Sequence, residues 1–302
     1  MKRYGIIFLT TLLGLGAVAA AAAGASIFGS KGSISVERLA HRVQPNTAFR
    51  PAISPKDLKG VNFESACDFT HRNTDDAIVF PKQPGKSHDH SYFGNSTTDA
   101  YSTLRSMKNG STNCDQPGDL AGYWVPTLLD PQGNPVEPRR ASIYYRRKIL
   151  EPLQSFPAGL KLIAGDSKAT APQDPDITFW NCGPFVNMQP SSTIPKCPDA
   201  DKKSLGLQVR FPDCWDGRTL DSPDHKSHFA YSQRYHCPAD HPVAMPMIQL
   251  IVRYSVTGGA GYTLASGGQL SAHADFFNAW DPAALKNLVD SCLNALKNCS
   301  SS

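Results

Sequence analysis

The stretch Leu205-Gly206-Leu207-Gln208-Val209-Arg210-Phe211 places an apolar side chain at every second position. Side chains of a strand point alternately to opposite faces, so this alternation predicts a half-buried β-strand. Similar short runs recur between Pro, Gly, Asn and Asp clusters: Ala77 to Phe80, Ser91 to Phe93, Tyr123 to Leu129, Ser142 to Tyr145, Leu160 to Ala164, Ile177 to Trp180, Ile248 to Val256 and Ala274 to Phe277. Each is strand-sized and bounded by turn signals. One helix is expected after them. Asp281 can cap it, Pro282 suits its first position, and Leu285, Leu288, Val289, Cys292, Leu293 and Leu296 share one face. The resulting expectation is a mainly β fold with one C-terminal helix, a disulfide-stapled β-sandwich or jelly-roll-like single domain. Its long loops include Gly165 to Asp176 and Gly183 to Ser204.

With 302 residues, 40% hydrophobic and 19% charged, the chain can bury a core and is too apolar to be disordered. Its 24 Pro and 23 Gly favour loops and exclude a coiled coil. The net charge of +4 is mild, and Arg139-Arg140 and Arg146-Arg147-Lys148 are the only basic clusters. No nucleic-acid partner is expected from so weak a basic balance.

Lys2 and Arg3 precede an apolar stretch, Gly5 to Phe28, that contains Ala23-Gly24-Ala25. This predicts a secretory signal over residues 1–25, the alternative being an uncleaved anchor, the one membrane span the chain offers. Residues 26–59 read as a polar tether and 60–302 as a single β-rich domain, secreted to the extracellular space or cell wall. Eight cysteines, all after the signal segment and none in Cys-x-x-Cys spacing, imply four disulfides. Pairing of sequential neighbours is expected: Cys67 with Cys114, Cys182 with Cys197, Cys214 with Cys237, and Cys292 with Cys299. The last pair carries a condition. Residues seven apart on an unbroken helix lie about 10.5 Å apart, beyond the roughly 7 Å a disulfide spans, so the helix must end before Cys299.

Five of the nine histidines lie in three polar-aromatic segments, around His88-Asp89-His90, Asp221 to His228, and His273-Ala274-Asp275. In extended chain His88 and His90 share a face about 7 Å apart, as do His273 and Asp275. Together they offer three imidazoles and a carboxylate, a ligand set for one divalent transition metal, zinc or copper. Half-buried hydrogen-bonding histidines remain the alternative. Among Asp221, Asp224, His225 and His228 a carboxylate can orient a histidine as general base, or the loop can be held by Asx turns. Asp75-Asp76 can bind a cation or form a solvated turn. Trp124, Trp215 and Trp280, with Tyr92, Asn95 and Asn278, can line a sugar-binding wall or belong to the core. His236 and His241 read as structural. Asn95-Ser96-Thr97 is also a glycosylation sequon, and a glycan there would crowd the site.

Several longer patterns carry a resemblance. They include Cys67-Asp68-Phe69-x-His71, Ile78-Val79-Phe80-Pro81-x-Gln83-Pro84-Gly85-x-Ser87-His88-x-His90-x-Tyr92-Phe93-Gly94-Asn95, Phe211-Pro212-Asp213-Cys214-Trp215-Asp216-Gly217, Leu220-Asp221-Ser222-x-Asp224-His225-x-Ser227-His228, and His273-Ala274-Asp275-Phe276-x-Asn278-Ala279-Trp280. From Val61 to Cys299 the chain resembles the secreted bacterial and fungal family called domain of unknown function nineteen ninety-six. Tyr92 stands where many relatives have Phe. The resemblance implies export and a glycan-rich setting, since fungal members are sometimes fused to cell-wall or carbohydrate-binding modules; it implies no catalytic assignment.

Two classes of function follow. The first is an extracellular enzyme, metal-assisted or dependent on His and Asp, acting on a polysaccharide as hydrolase or lyase, with a metal-dependent phosphodiesterase as its variant. The second is a non-catalytic glycan-binding or cell-wall module. In either case the expected partner is an extracellular or cell-wall glycan.

Overall fold

Leu205–Arg210 is a strand, but both of its faces are buried. Gln208 on the second face pairs with the amide of Gln249 at 2.6 Å, and Gly206 leaves room for the Arg253 guanidinium, which a Cβ would meet at 2.1 Å. In the computed structural model, which describes residues 53–183, 190–198 and 205–300, this strand belongs to a nine-stranded sheet. The expected signal segment, most of the tether and part of the Gly183 to Ser204 loop lie outside the described residues.

Numbered along the chain, the nine strands are β1 (Asn62–Asn73), β2 (His90–Gly94), β3 (Gly122–Pro126), β4 (Pro138–Arg146), β5 (Lys161–Gly165), β6 (Thr178–Cys182), β7 (Leu205–Arg210), β8 (Met247–Tyr254) and β9 (His273–Phe277). Their order is β5-β9-β3-β2-β1-β4-β8-β7-β6, and every neighbouring pair is antiparallel. β1 serves both halves of the sheet. Its residues 62–68 pair with β4 and its later residues with β2, and the register shifts between Phe69 and His71. Such an irregularity bends and twists a strand. The halves fold over a shared core that includes Phe63, Tyr123, Ile143, Leu207, Leu250 and Phe276. The sheet nearly closes, because Gly165 on β5 approaches Thr178 on β6, where a Cβ would lie 2.9 Å from the threonine methyl.

Two expectations need correction. Ala77 to Phe80 is a turn, not a strand, because the Asp76 side chain accepts hydrogen bonds from the backbone N–H groups of Ile78 and Val79 at 2.8 Å. Tyr123 to Leu129 divides: β3 stops at Pro126, and Leu128–Leu129 joins a separate three-stranded sheet. A second small sheet joins Cys214–Trp215, Phe229–Ala230 and Val243–Ala244. At the edge of the expected tether, Pro55–Leu58 forms a 3-10 turn that buries Leu58.

The C-terminal helix begins at Pro282, capped by Asp281, whose side chain accepts from Ala284 N at 2.8 Å. Leu285, Val289, Cys292 and Leu293 are its buried face. The helical segment ends at Asn294, which lets Cys292 and Cys299 close with Cα atoms 5.9 Å apart. All four disulfides join sequential neighbours. Four such bonds point to an oxidising, extracellular setting. Among the described residues no helix is long and apolar enough to cross a membrane.

Candidate metal centre

Tyr92, Trp124 and Asp275 lie directly opposite one another across β2, β3 and β9. Since β2 and β9 both run antiparallel to β3, they run in the same direction. Stepping two residues back along each strand therefore brings His90 and His273 to the same end and face of the sheet. His88, two residues before His90, joins them. The ring centroids stand 4.2 Å apart for His88 and His90, 5.0 Å for His88 and His273, and 5.9 Å for His90 and His273. One ligand nitrogen from each ring lies within 4.8 Å of the other two. Tetrahedral ligands about 2.1 Å from a zinc ion would be about 3.4 Å apart, so modest inward movement of the rings completes a metal site.

The outer nitrogens are already fixed. His90 Nδ1 lies 3.1 Å from the Asp75 carbonyl, and His273 Nδ1 lies 2.9 Å from that of Ser271. Only a protonated nitrogen can donate to a carbonyl, so each Nε2 carries a lone pair. Backbone carbonyls orient metal-bound histidines in this way. Among the described residues, Nε2 of both His88 and His90 is buried without a partner. Asp275 Oδ2 is also unpartnered, 3.9 Å from His273 Nε2.

Burial lowers His88 to about 4 and His273 to about 3, and holds the fully buried His90 well below its ordinary value. All three rings are neutral at pH 7 and able to donate lone pairs. Asp275 is pushed well above the usual carboxylate range by burial, with the charge of Asp76 adding to the effect.

His88, His273 and Asp275 face a cavity of about 530 Å³ that Asp76, His225 and Lys226 also line. His225 Nδ1 is 2.6 Å from Asp221 Oδ1, and Asp221 is 3.6 Å from Lys161 Nζ. The Asp221–His225 pair has the geometry of a base and its orienting carboxylate.

The other expected site residues stand elsewhere. His228 is buried with both ring nitrogens engaged, Nδ1 with Ser222 Oγ and Nε2 with the Lys161 carbonyl, each at 2.8 Å. Asp224 reaches the cavity, but its Oδ1 accepts from Ser222, Lys226 and Ser227, which depresses its pKa and makes it a poor base. Tyr92, Trp124 and Trp280 are buried in the core. Asn95 is fully buried, donating to the Met107 and Leu120 carbonyls and accepting from Thr97, so it can serve neither a substrate nor a glycan. Asn278 holds the Phe156 and Pro157 carbonyls and Trp280 N. Trp215 donates to the Thr219 carbonyl at 2.7 Å and is absent from the cavity wall. These six positions do not form a sugar-stacking wall.

Of the Asp75-Asp76 pair, read as a cation site or a solvated turn, Asp76 belongs to the cavity. It is buried, and burial raises its pKa. Its neighbour Asp75 spends both carboxylate oxygens on Gly85 N and Ala100 N. The signal separating them was the apolar Ala77-Ile78 that follows, which draws Asp76 inward.

The fold and site define a disulfide-bonded, mainly β protein with a histidine-lined cavity. The chain belongs to the family described as Domain of unknown function (DUF1996), which matches residues 76–280. That span runs from Asp76 to Trp280 and contains every residue of the candidate centre. No curated protein and no solved structure matches the chain with significance.

Proposed function

We propose that this protein is a secreted, metal-dependent enzyme acting on extracellular polysaccharide as hydrolase or lyase, with one divalent zinc or copper ion held by His88, His90 and His273 and assisted by Asp275. The observation that carries the reading is the convergence of three neutral imidazoles, two with buried Nε2 atoms unpartnered among the described residues, beside a cavity that His88 and His273 line. Buried polar atoms are almost always paired, so a partnerless group of ligating atoms fits a cation. A bound ion would polarise substrate or acidify a water. His225, held by Asp221, is the group placed to move the proton, and Asp76 and Lys226 supply charge at the wall. The polysaccharide class rests on the secreted, cell-wall setting that the family resemblance implies.

The test is elemental analysis of protein purified without a histidine tag and equilibrated with zinc or copper. About one ion per chain is expected, lost in His88→Ala and His273→Ala. Metal absent from the wild type, or retained by both variants, would overturn the reading. Product analysis on a glycan panel then separates turnover from retention.

A further inference from the structure

A second cavity, of about 840 Å³, opens where β4 and β7 end and β8 begins, and Arg146, Lys148, Arg210 and Arg234 converge on it. Its carboxylates are committed. Asp213 accepts from Ser232 N and Oγ, Asp176 pairs with Arg210 at 3.3 Å, and Asp174 caps Asp176 N. Among the described residues no carboxylate lies within ion-pair distance of Arg146, Lys148 or Arg234. Among the same residues Arg146 Nε is buried without a partner. Burial, then the charges of Arg146 and Arg210, lower the pKa of Lys148, while Asp213 and Asp176 offset part of the effect.

The lip of this cavity is strained. Arg234 and Tyr235 have φ of 51° and 70°, between Gln233 and His236, which exchange backbone hydrogen bonds of 2.8 and 3.0 Å. A two-residue turn of this kind ordinarily takes Asn-Gly, because side chains with a Cβ disfavour positive φ. Here the turn holds Arg and Tyr instead. It is fixed by the Cys214–Cys237 disulfide, by Leu150 N donating to the Tyr235 carbonyl, and by His236 against Glu151 at 2.7 Å. Strain of this sort persists where the surrounding structure over-determines it, and it clusters at binding sites; the pair it holds at the lip is a cation and a 46% exposed aromatic ring.

Two chain segments tie this cavity to the candidate metal centre. Asp166 to Lys168 line the histidine cavity and Asp174 to Ile177 the cationic one; likewise Asp224 to Lys226 line the first and Tyr231 to Tyr235 the second. The five-residue step from Lys226 to Tyr231 spans at most roughly 18 Å, a separation that an extended polymer can bridge.

We propose that the cationic cavity binds the acid groups of an anionic polysaccharide, a uronate polymer, with Arg146, Lys148 and Arg234 taking carboxylates and Tyr235 packing on a sugar ring. This deepens the proposed function by naming the charge of its substrate, and rests on the polysaccharide part of that reading rather than on the metal. A saccharide fits better than a nucleic acid, because the cations form one compact basin with a single exposed ring at its lip instead of a long basic track.

The experiment measures binding of the full chain to sodium polygalacturonate, to neutral pullulan and to inorganic polyphosphate, with and without a chelator. Polygalacturonate is expected to bind at least roughly tenfold more tightly than pullulan, more weakly as salt rises, and to lose roughly tenfold in Lys148→Gln/Arg234→Gln. Both side chains are exposed, and an unchanged melting temperature shows that the variant folds. Equal binding of pullulan, an unaffected double variant, or polyphosphate binding as tightly as polygalacturonate would overturn the proposal. Chelated protein is expected to keep its uronate affinity. Uronate binding without stoichiometric metal would sink the metal reading alone, whereas stoichiometric metal without uronate binding would sink this inference alone.

Discussion

Two buried polar clusters of this protein use the same kinds of atom to opposite ends. In one, Trp280 Nε1 donates to Tyr145 OH at 2.9 Å, Tyr145 lies 2.6 Å from Tyr123 OH, and Tyr123 donates to Asp119 at 2.9 Å. Ser65 Oγ and Ala121 N donate to the same carboxylate. Donors run in one direction and end on Asp119. In the other cluster His88 Nε2, His90 Nε2 and Asp275 Oδ2 have no partner among the described residues, and His88 and Asp275 line a cavity. A closed network specifies a core, while an open one is costly unless something else completes it. The difference separates a structural polar cluster from a candidate site, although both are deeply buried.

Removing the acceptor of the closed network should have the largest effect. Asp119→Ala strands the Ser65 and Tyr123 donors in the core, and is expected to cost about 3–5 kcal/mol in urea unfolding, or to prevent folding. His88→Ala in metal-free protein removes a ring whose Nε2 had no partner and should stay within about 1 kcal/mol of wild type. Similar losses in the two variants would break the comparison.

The open cluster should respond to metal instead. Zinc at a thousandfold excess over its dissociation constant is expected to stabilise the wild type by about 4 kcal/mol and His273→Ala hardly at all. Denaturant midpoints with zinc and with chelator measure this; equal shifts in both proteins would show that the imidazoles are not the ligands.

A titration sharpens the contrast. Burial raises Asp119 to about 7 despite its donors. The folded state therefore holds a proton that the unfolded state releases near pH 4, and stability from this group is full below pH 4 and lost as pH rises toward 7. The slope is at most about 1.4 kcal/mol per pH unit. Subtracting the stability of Asp119→Asn from that of wild type isolates it, and a difference that stays flat between pH 4 and 7 would contradict the assignment.

How far this architecture can be read from sequence depends on whether burial follows local period. Leu205 to Phe211 and the capped helix obey it. β1, the strand that joins both halves, escapes it: its alternate positions read Phe63, Ser65, Cys67 and Phe69, and the polar Ser65 points inward because the distant Asp119 receives it. Past the register shift His71 lies opposite Tyr92, on the other face, where its Nε2 meets the Thr98 carbonyl at 2.8 Å. The aromatics mislead in the other direction. Trp124 and Trp280 look equally suited to a sugar wall and to a core, and only the sheet order decides. For the candidate site, the i, i+2 spacing of His88 and His90 was legible. Their meeting with His273 depends on β3 lying between β2 and β9, which no local pattern encodes. Asp221 and His225 are four residues apart, and their pairing was open to a local reading.

The smallest expected effect tests whether the closed network acts as a chain. Tyr145→Phe keeps the ring stacked on Phe63, whose centroid is 4.6 Å away, and deletes only the hydroxyl. Trp280 Nε1 is already 3.2 Å from Tyr123 OH and can transfer its hydrogen bond there, so no donor is stranded and the loss should be about 1 kcal/mol. The larger consequence is electrostatic. An indole N–H replaces a phenolic O–H as donor to Tyr123, so Tyr123 is polarised less and stabilises ionised Asp119 less. The pH at which the Asp119 contribution fades should therefore move upward from about 7. If Tyr145→Phe lowers stability by the expected amount while that midpoint stays fixed, the hydroxyls pack side by side without acting through one another.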